Sequence, residues 1–175
     1  MYEGEWVRDQ RCGRGSIEYE NGNTYEGEWK ADERDGTGTI VFKDVDVVYT
    51  GAWKAGRRSG HGREVGRQPV PNNGTAAGLV EFTGDFVDGV KHGSGHATYT
   101  SGDTYDGAWQ GNERSGFGKC VFGNGDVYEG AWAQDRRHGA GKCVFVNGEV
   151  YEGEWVEGRR HVQASNWRGL DGGSE

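Results

Sequence analysis

The sequence predicts an all-β protein: an elongated, single-layer antiparallel meander of successive β-hairpins, about seven of them. Three observations predict it. A five-residue motif, Tyr-x-Gly-x-Trp in its fullest form, recurs at nearly fixed spacing along most of the chain. Within each copy, bulky and polar residues alternate with period two, the mark of a half-buried strand. Glycine supplies 34 of the 175 residues, far above the usual share of roughly 7%, yet it does not fall at every third position as in collagen.

Tyr-Glu-Gly-Glu-Trp begins at Tyr2, Tyr25 and Tyr151, and variants begin at Tyr49, Phe82, Tyr105 and Tyr128. The steps between starts are 23, 24, 33, 23, 23 and 23 residues. Counting each start as place one, place five is Trp6, Trp29, Trp53, Phe86, Trp109, Trp132 and Trp155, and place three is always glycine. Units one to six also carry Gly-x-Gly at places twelve and fourteen, from Gly13/Gly15 to Gly139/Gly141. Such self-similarity identifies a repeat array.

These residues resemble the MORN (membrane occupation and recognition nexus) repeat, with Tyr128–Gly141 and Phe82–Gly95 the nearest copies. The resemblance covers residues 1–161 and stops at Val162, where the next place-twelve glycine would stand. It implies a repeat array over 1–161 followed by a tail or cap, 162–175. Proteins resembling this family are scaffolds in cilia and flagella (radial-spoke heads), in the division and cortical cytoskeleton of parasites, and as myosin adaptors; they commonly form homodimers. Some arrays precede lipid kinase or SET methyltransferase domains, which leaves the accessory region of a longer enzyme as an alternative.

The residues of one unit lead to the same shape. Places one to five form the first strand. Places twelve to nineteen alternate again and form the second, with an inward set of Gly139, Gly141, Cys143 and Phe145 in unit six. Asn21-Gly22, Ser101-Gly102, Asn124-Gly125 and Asn147-Gly148 then supply a turn, expected to be type I′ with both centres at positive φ. Glycine weakens a strand, so its recurrence needs a cause. Glycines at places three, twelve and fourteen are expected to form a floor without Cβ atoms for flat-lying indole and phenol rings. The structural aromatic face comprises Tyr2, Trp6, Tyr25, Trp29, Tyr49, Trp53, Phe82, Phe86, Tyr105, Trp109, Tyr128, Trp132, Tyr151 and Trp155. About fourteen strands at about 4.8 Å each give a rod roughly 65 Å long. Unit three carries a surplus near residues 66–78 that holds both prolines, Pro69 and Pro71, and is expected to be an exposed loop. The tail could cap the last hairpin with Trp167 or be disordered.

Place ten is basic in every unit: Arg11, Arg34, Arg58, Lys91, Arg114, Arg137 and Arg160. On a regular array these cations lie about 10 Å apart along one edge. The rail could bind a partner, either a helix or extended acidic segment of a protein or the phosphates of an anionic membrane. It could equally be a solvated edge paired with neighbouring carboxylates. The acids at places two and four, such as Glu3, Glu5, Glu26 and Glu28, read as a solubilising face. It is softened by Ala52, Ala108 and Ala131, which could mark a drier contact patch.

Catalysis, metals and cofactors are not expected. His138 and His161 fall about 10 Å apart, too far for one metal ion. Gly116-Phe117-Gly118-Lys119 lacks the Ser/Thr and helix of a phosphate loop. Cys12, Cys120 and Cys143 show no metal or disulfide spacing, which fits a reducing, cytoplasmic setting. A net charge of −8 opposes binding to nucleic acid and weakens the case for a membrane. The expected function is a non-catalytic scaffold or adaptor, with the resemblance pointing to the cytoskeleton, cilium or flagellum. Open terminal strands would favour self-association.

Overall fold

Each unit folds as a hairpin because two turn sequences lie one strand length apart, and each hairpin then finds the next one already presenting a free edge. The computed structural model describes residues 1–72 and 75–161, with backbone alone for 67–72 and 75–77. Its strands are β1 (Tyr2–Val7), β2 (Gln10–Glu18), β3 (Thr24–Lys30), β4 (Glu33–Phe42), β5 (Val47–Lys54), β6 (Arg57–Asn72), β7 (Thr75–Val87), β8 (Val90–Tyr99), β9 (Thr104–Gln110), β10 (Glu113–Val121), β11 (Val127–Ala133), β12 (Arg136–Val144), β13 (Val150–Val156) and β14 (Arg159–Arg160). All fourteen join one open antiparallel sheet in sequence order. Register repeats with the sequence: Gly118 lies between Gly107 and Gly130, and Cys120 between Tyr105 and Tyr128.

The rings form the core on one face. Consecutive rings meet edge to face at centroid distances of 5.0–5.4 Å, in an unbroken zigzag from Trp6 to Trp155. Each first-place ring from Tyr2 to Tyr128 touches the place-five ring of its own unit and that of the next, and Tyr151 touches Trp155. This geometry sets the positive ring edge against the negative ring face. The place-five rings after the first unit are buried, from Phe86 at 1% exposed to Trp53 at 5%. Trp6, on the sheet's first strand, is 56% exposed.

The glycine floor serves the phenols, and place twelve has a different cause. A Cβ on Gly15, Gly38, Gly62, Gly118 or Gly141 would run into the tyrosine ring of its own unit, and a Cβ on Gly27 would meet the Gly38 Cα. At place twelve, by contrast, Gly13, Gly36, Gly60, Gly93, Gly116 and Gly139 all have positive φ. They form a β-bulge at which the hairpin register shifts, as between Gly4 and Trp6 or Gly27 and Trp29. A left-handed residue is what such a bulge requires.

The two turns are assigned differently from the sequence expectation. Asn21, Ser101, Asn124 and Asn147 do not take positive φ; only the glycines after them do. Gly22 N donates to Tyr19 O at 2.9 Å, and Gly125 N to Phe122 O at 2.8 Å. This is a turn closed by a left-handed glycine. The polar residue before it folds back locally, with Asn23 N donating to Asn21 Oδ1 at 3.1 Å. The paired left-handed conformation appears at the opposite end of the hairpin, at places seven and eight: Arg8-Asp9, Ala31-Asp32, Ala55-Gly56, Asp88-Gly89, Gly111-Asn112, Gln134-Asp135 and Glu157-Gly158.

The surplus in unit three is not a loop outside the ladder. It lengthens β6 and β7 into a two-stranded ribbon with Val70 opposite Leu79 and Asn72 opposite Thr75. β5 stops pairing with β6 at Gly66, and β8 stops pairing with β7 at Leu79. Beyond those points the described residues offer the ribbon no third strand, so a proline on its outer edge removes no ladder bond. Residues 73 and 74 and the tail with Trp167 lie outside the described residues.

Gly118→Ala should lower stability by about 2–3 kcal/mol through overpacking against the Tyr105 ring. Gly148→Ala, whose Cβ would meet open space at φ +88, should cost only about 1 kcal/mol of backbone strain. Urea denaturation of the two variants checks this order.

Candidate functional site

The place-ten cations, read from the sequence as an edge that could bind a partner or pair with neighbouring carboxylates, lie over the ring ladder. The guanidinium carbon of Arg11, Arg34, Arg114 and Arg137 stands 4.1–4.3 Å from the place-five indole of the following unit. The same group donates to the turn carbonyl of that unit: Arg11 to Asp32 O at 2.8 Å, Arg114 to Asp135 O at 2.8 Å and Arg137 to Gly158 O at 2.9 Å. The turn reciprocates. Asp32 N, Gly56 N and Asp135 N donate to the carbonyls of Arg11, Arg34 and Arg114. Asp32 Oδ1 and Asp135 Oδ1 accept from the backbone N and Nε of Arg11 and Arg114, all at 3.0 Å. These bonds from Arg11 hold the Asp32 carboxyl below its ordinary range. The place-ten residue is therefore a clasp between hairpins, and Arg114 is buried. Arg160 is exposed and stands over Phe145 at 4.6 Å, with no further indole among the described residues.

The indole N–H completes the junction. Trp29, Trp53, Trp109, Trp132 and Trp155 donate to the place-fourteen carbonyl of the preceding unit at 3.0–3.2 Å. A second clasp closes the far end, where Asn23, Asp103 and Asp126 accept from the backbone of Lys43, Gly123 and Val146. Sequence reasoning missed both sets of acceptors, although Asp or Asn at place eight and again directly after the turn glycine was a visible signal.

The bulge accounts for further polar residues. Each place-one tyrosine hydroxyl donates to the place-four carbonyl, as Tyr25 to Glu28 O at 3.0 Å and Tyr128 to Ala131 O at 2.8 Å. Where place four is acidic, its side chain accepts the place-thirteen amide: Glu5 from Arg14 N at 2.9 Å and Glu28 from Thr37 N at 3.2 Å. These acids are thus partly structural. Ala52, Ala108 and Ala131 supply no such acceptor.

Unit three departs from the pattern. Glu64 takes the inward place sixteen, where Ile17, Ile40, Ala97, Cys120 and Cys143 stand elsewhere. Burial opposes its ionisation, but Lys91 (2.7 Å) and Arg58 outweigh that and hold its carboxyl below the usual range. Cys120 and Cys143 are free and buried. Burial pushes the Cys120 thiol up to about 11. Among the described residues, no group of three or more His, Cys, Asp and Glu side chains could hold a metal ion, and no helix is long and apolar enough to cross a membrane.

What remains open is the face opposite the rings. Side chains from places two and fifteen form one row, and those from places four and thirteen a second. The backbone of the place-three and place-fourteen glycines is the floor between them. In units one to three this trough encloses about 740 Å³ between Glu3, Arg14, Ser16, Glu26, Thr37, Thr39 and Thr50. Thr39 and Thr50 hydroxyls meet there at 2.9 Å. A second stretch of about 540 Å³ follows over Gly84, Gly95 and Gly107, bounded by His61, Asp85, Asp106, Ala108 and Phe117. Its walls contain the His61–Asp85 pair at 3.4 Å and, beside it, the His96–Asp106 pair at 2.7 Å. Phe117 is 65% exposed.

A one-layer stack of Tyr-Gly-Trp hairpins, clasped by arginine over indole, defines a β-repeat array. The MORN repeat profile matches residues 2–24, 25–44, 49–67, 82–104, 105–127, 128–150 and 151–164. The chain belongs to the MORN-repeat family, whose arrays serve protein or membrane interaction. No curated protein matches it. Among solved structures, the TCP10c domain of Drosophila melanogaster Sas-4 is similar at 13% identity and a TM-score of 0.39, over 82% of this chain and 93% of that one.

Two measurements test the clasp. Arg114→Ala should destabilise the array by about 2–4 kcal/mol through the lost ring stack and charged hydrogen bonds, whereas Arg160→Ala should leave it within about 0.5 kcal/mol. Equal losses in thermal or urea unfolding would return the cations to a passive edge. Burial pushes the hydroxyls of Tyr25, Tyr49 and Tyr128 up to about 12, against about 10 in an unfolded chain. The folded state thus keeps protons that the unfolded state releases. Their contribution to stability is complete below pH 10 and is lost as pH rises from 10 to 12. Unfolding followed by near-ultraviolet circular dichroism should show that fall.

Proposed function

We propose that the array is a non-catalytic docking plank that binds a protein partner along the trough opposite its rings. One observation carries this reading: the two faces are chemically divided. The ring face is closed by its own rings and clasps, so the aromatic columns offer no docking surface. The other face keeps an open trough whose walls differ from unit to unit, from Glu3, Thr39 and Thr50 at one end to Ala108 and Phe117 further along. A rigid floor with variable walls suits recognition of a specific segment.

The acidic partner expected from a free basic rail loses its support, because those cations are engaged within the fold. The cytoskeletal, ciliary or flagellar setting, a cytoplasmic location and homodimer formation rest on the family resemblance alone and remain part of this proposal. So does the role of an accessory region beside an enzyme domain.

Affinity purification with the intact chain and two variants tests the reading. Ala108→Glu with Ala131→Glu, which sets acids on the trough wall at a place where other units already carry them, should reduce specific partners at least ten-fold, while Lys54→Glu with Arg136→Glu, at the exposed turns, should leave them unchanged. Flotation with phosphatidylcholine/phosphatidylserine vesicles should recover no protein at physiological salt. Co-flotation abolished by the turn variant, with trough-independent partner lists, would replace the protein-docking reading with membrane binding.

A further inference from the structure

The row formed by places four and thirteen changes character along the sheet. In units one and two it reads Glu5, Arg14, Glu28 and Thr37. In units five and six it reads Ala108, Phe117, Ala131 and Ala140. Phe117 and Ala131 are register partners, and Phe117 walls the second stretch of trough together with Ala108. Nothing in the repeat demands this ring. Place thirteen is Arg14, Thr37, His61, Ser94 and Ala140 in the other complete units, and Phe117 makes no contact with the ring ladder. An apolar ring left two-thirds in water, on a shelf of alanines, has the form of an interface anchor.

Two further observations restrict its occupant. β9, β10 and β11 are each hydrogen-bonded on both sides. A segment lying on this face therefore finds no free backbone groups and cannot join as an added strand. A helix satisfies its own amides and lies there without needing an edge. The charged row beside Phe117 alternates Asp106, Lys119, Glu129 and Lys142 across adjacent strands, and Asp85 stands on the facing wall, so three carboxylates meet two ammonium groups, with Asp106 and Asp85 each beside a histidine. Basic side chains complement that excess.

We infer that the trough of units four to six receives an amphipathic helix of a protein partner, with an apolar residue packed against Phe117, Ala108 and Ala131 and basic residues one turn away meeting Asp85 and Asp106. This rests on the docking reading above and names the chemistry of its partner.

The test pans two libraries against the 175-residue chain. One displays a randomised helix face on a three-helix scaffold, and the other displays unstructured sixteen-residue peptides. Phe117→Ser is the counter-target. It leaves the net charge unchanged, and a side chain this exposed is dispensable to the fold, as circular dichroism of the variant will verify. The expected result is helix-scaffold clones with aromatic or aliphatic and Lys/Arg residues at helical spacing, binding the intact chain at least ten-fold more tightly than the variant. Clones that bind both chains equally, or whose selected faces are acidic, overturn the inference. If only unstructured peptides bind in a Phe117-dependent manner, the helical partner falls while protein docking at the trough stands. If neither library yields binders and phosphatidylserine vesicles bind instead, both readings fall.

Discussion

The fold depends on one steric condition: a phenol ring lies against a backbone that has no Cβ. In an ordinary sheet the side chains of adjacent strands hold any third group several ångströms above the backbone. Here glycines at places three and fourteen face each other across the strands, and the tyrosine ring drops into the gap. That descent brings its hydroxyl to the place-four carbonyl and sets it edge to face with the place-five rings beside it. A single sheet thereby acquires a buried aromatic layer without a second sheet or a helix to cover it, which is the usual way to complete a core. The strand-weakening cost of glycine, about 0.5–1 kcal/mol relative to alanine in a regular element, is offset by rings that each bury a large area.

Much of this was legible in the sequence, because repetition turns a weak local signal into a strong one. Seven copies of the motif identified the hairpins, the sheet and the ring face. The errors share a cause: residues were read by type and not by the backbone group they serve. Asn-Gly suggested a type I′ turn, yet the paired left-handed residues occur at Ala31-Asp32 and Gln134-Asp135, where strain at non-glycine residues is held by the clasp from the preceding unit. The place-ten arginines read as free charge, since a sequence does not reveal that the next indole lies 4 Å beneath each guanidinium. The prolines read as a loop, because a ribbon two strands wide tolerates what a wider sheet does not. The trough was hardly legible. It is defined by which residues the fold leaves unused, and that appears only once the rest have been assigned.

Withdrawing the arginines from the surface changes the electrostatic character of the molecule. The chain carries 28 acidic and 20 basic side chains, and six of the seven place-ten cations stand over the next unit's place-five ring or, as Lys91 does, pair with Glu64. Several carboxylates are likewise occupied at bulges and turns. The field a partner meets on the open face is therefore set by the residues that the clasps and bulges leave unused, such as Glu3, Glu26 and Glu129 at place two. Arginine suits the clasp because its plane stacks on an indole while its edge still donates to a carbonyl. Phe86 replaces the usual Trp at the junction of units three and four, Lys91 replaces the usual Arg at the next junction, and Glu64 accepts from both Arg58 and Lys91.

Contacts in such an array reach only neighbouring hairpins, so stability is set junction by junction. Five of the six junctions carry an indole hydrogen bond, and four of those also place an arginine over the indole. The exception joins units three and four, where phenylalanine has no N–H to donate, and the lengthened β6–β7 ribbon arises at the same junction. The junction without an indole hydrogen bond and the largest departure from the repeat thus coincide, next to the stretch of trough that ends at Phe117. A docking surface needs a rigid floor, and the units on either side provide it through intact clasps. The departures gathered between them, in Glu64, Phe86, the ribbon and the two His–Asp pairs, are the part of the molecule that its repeat does not explain.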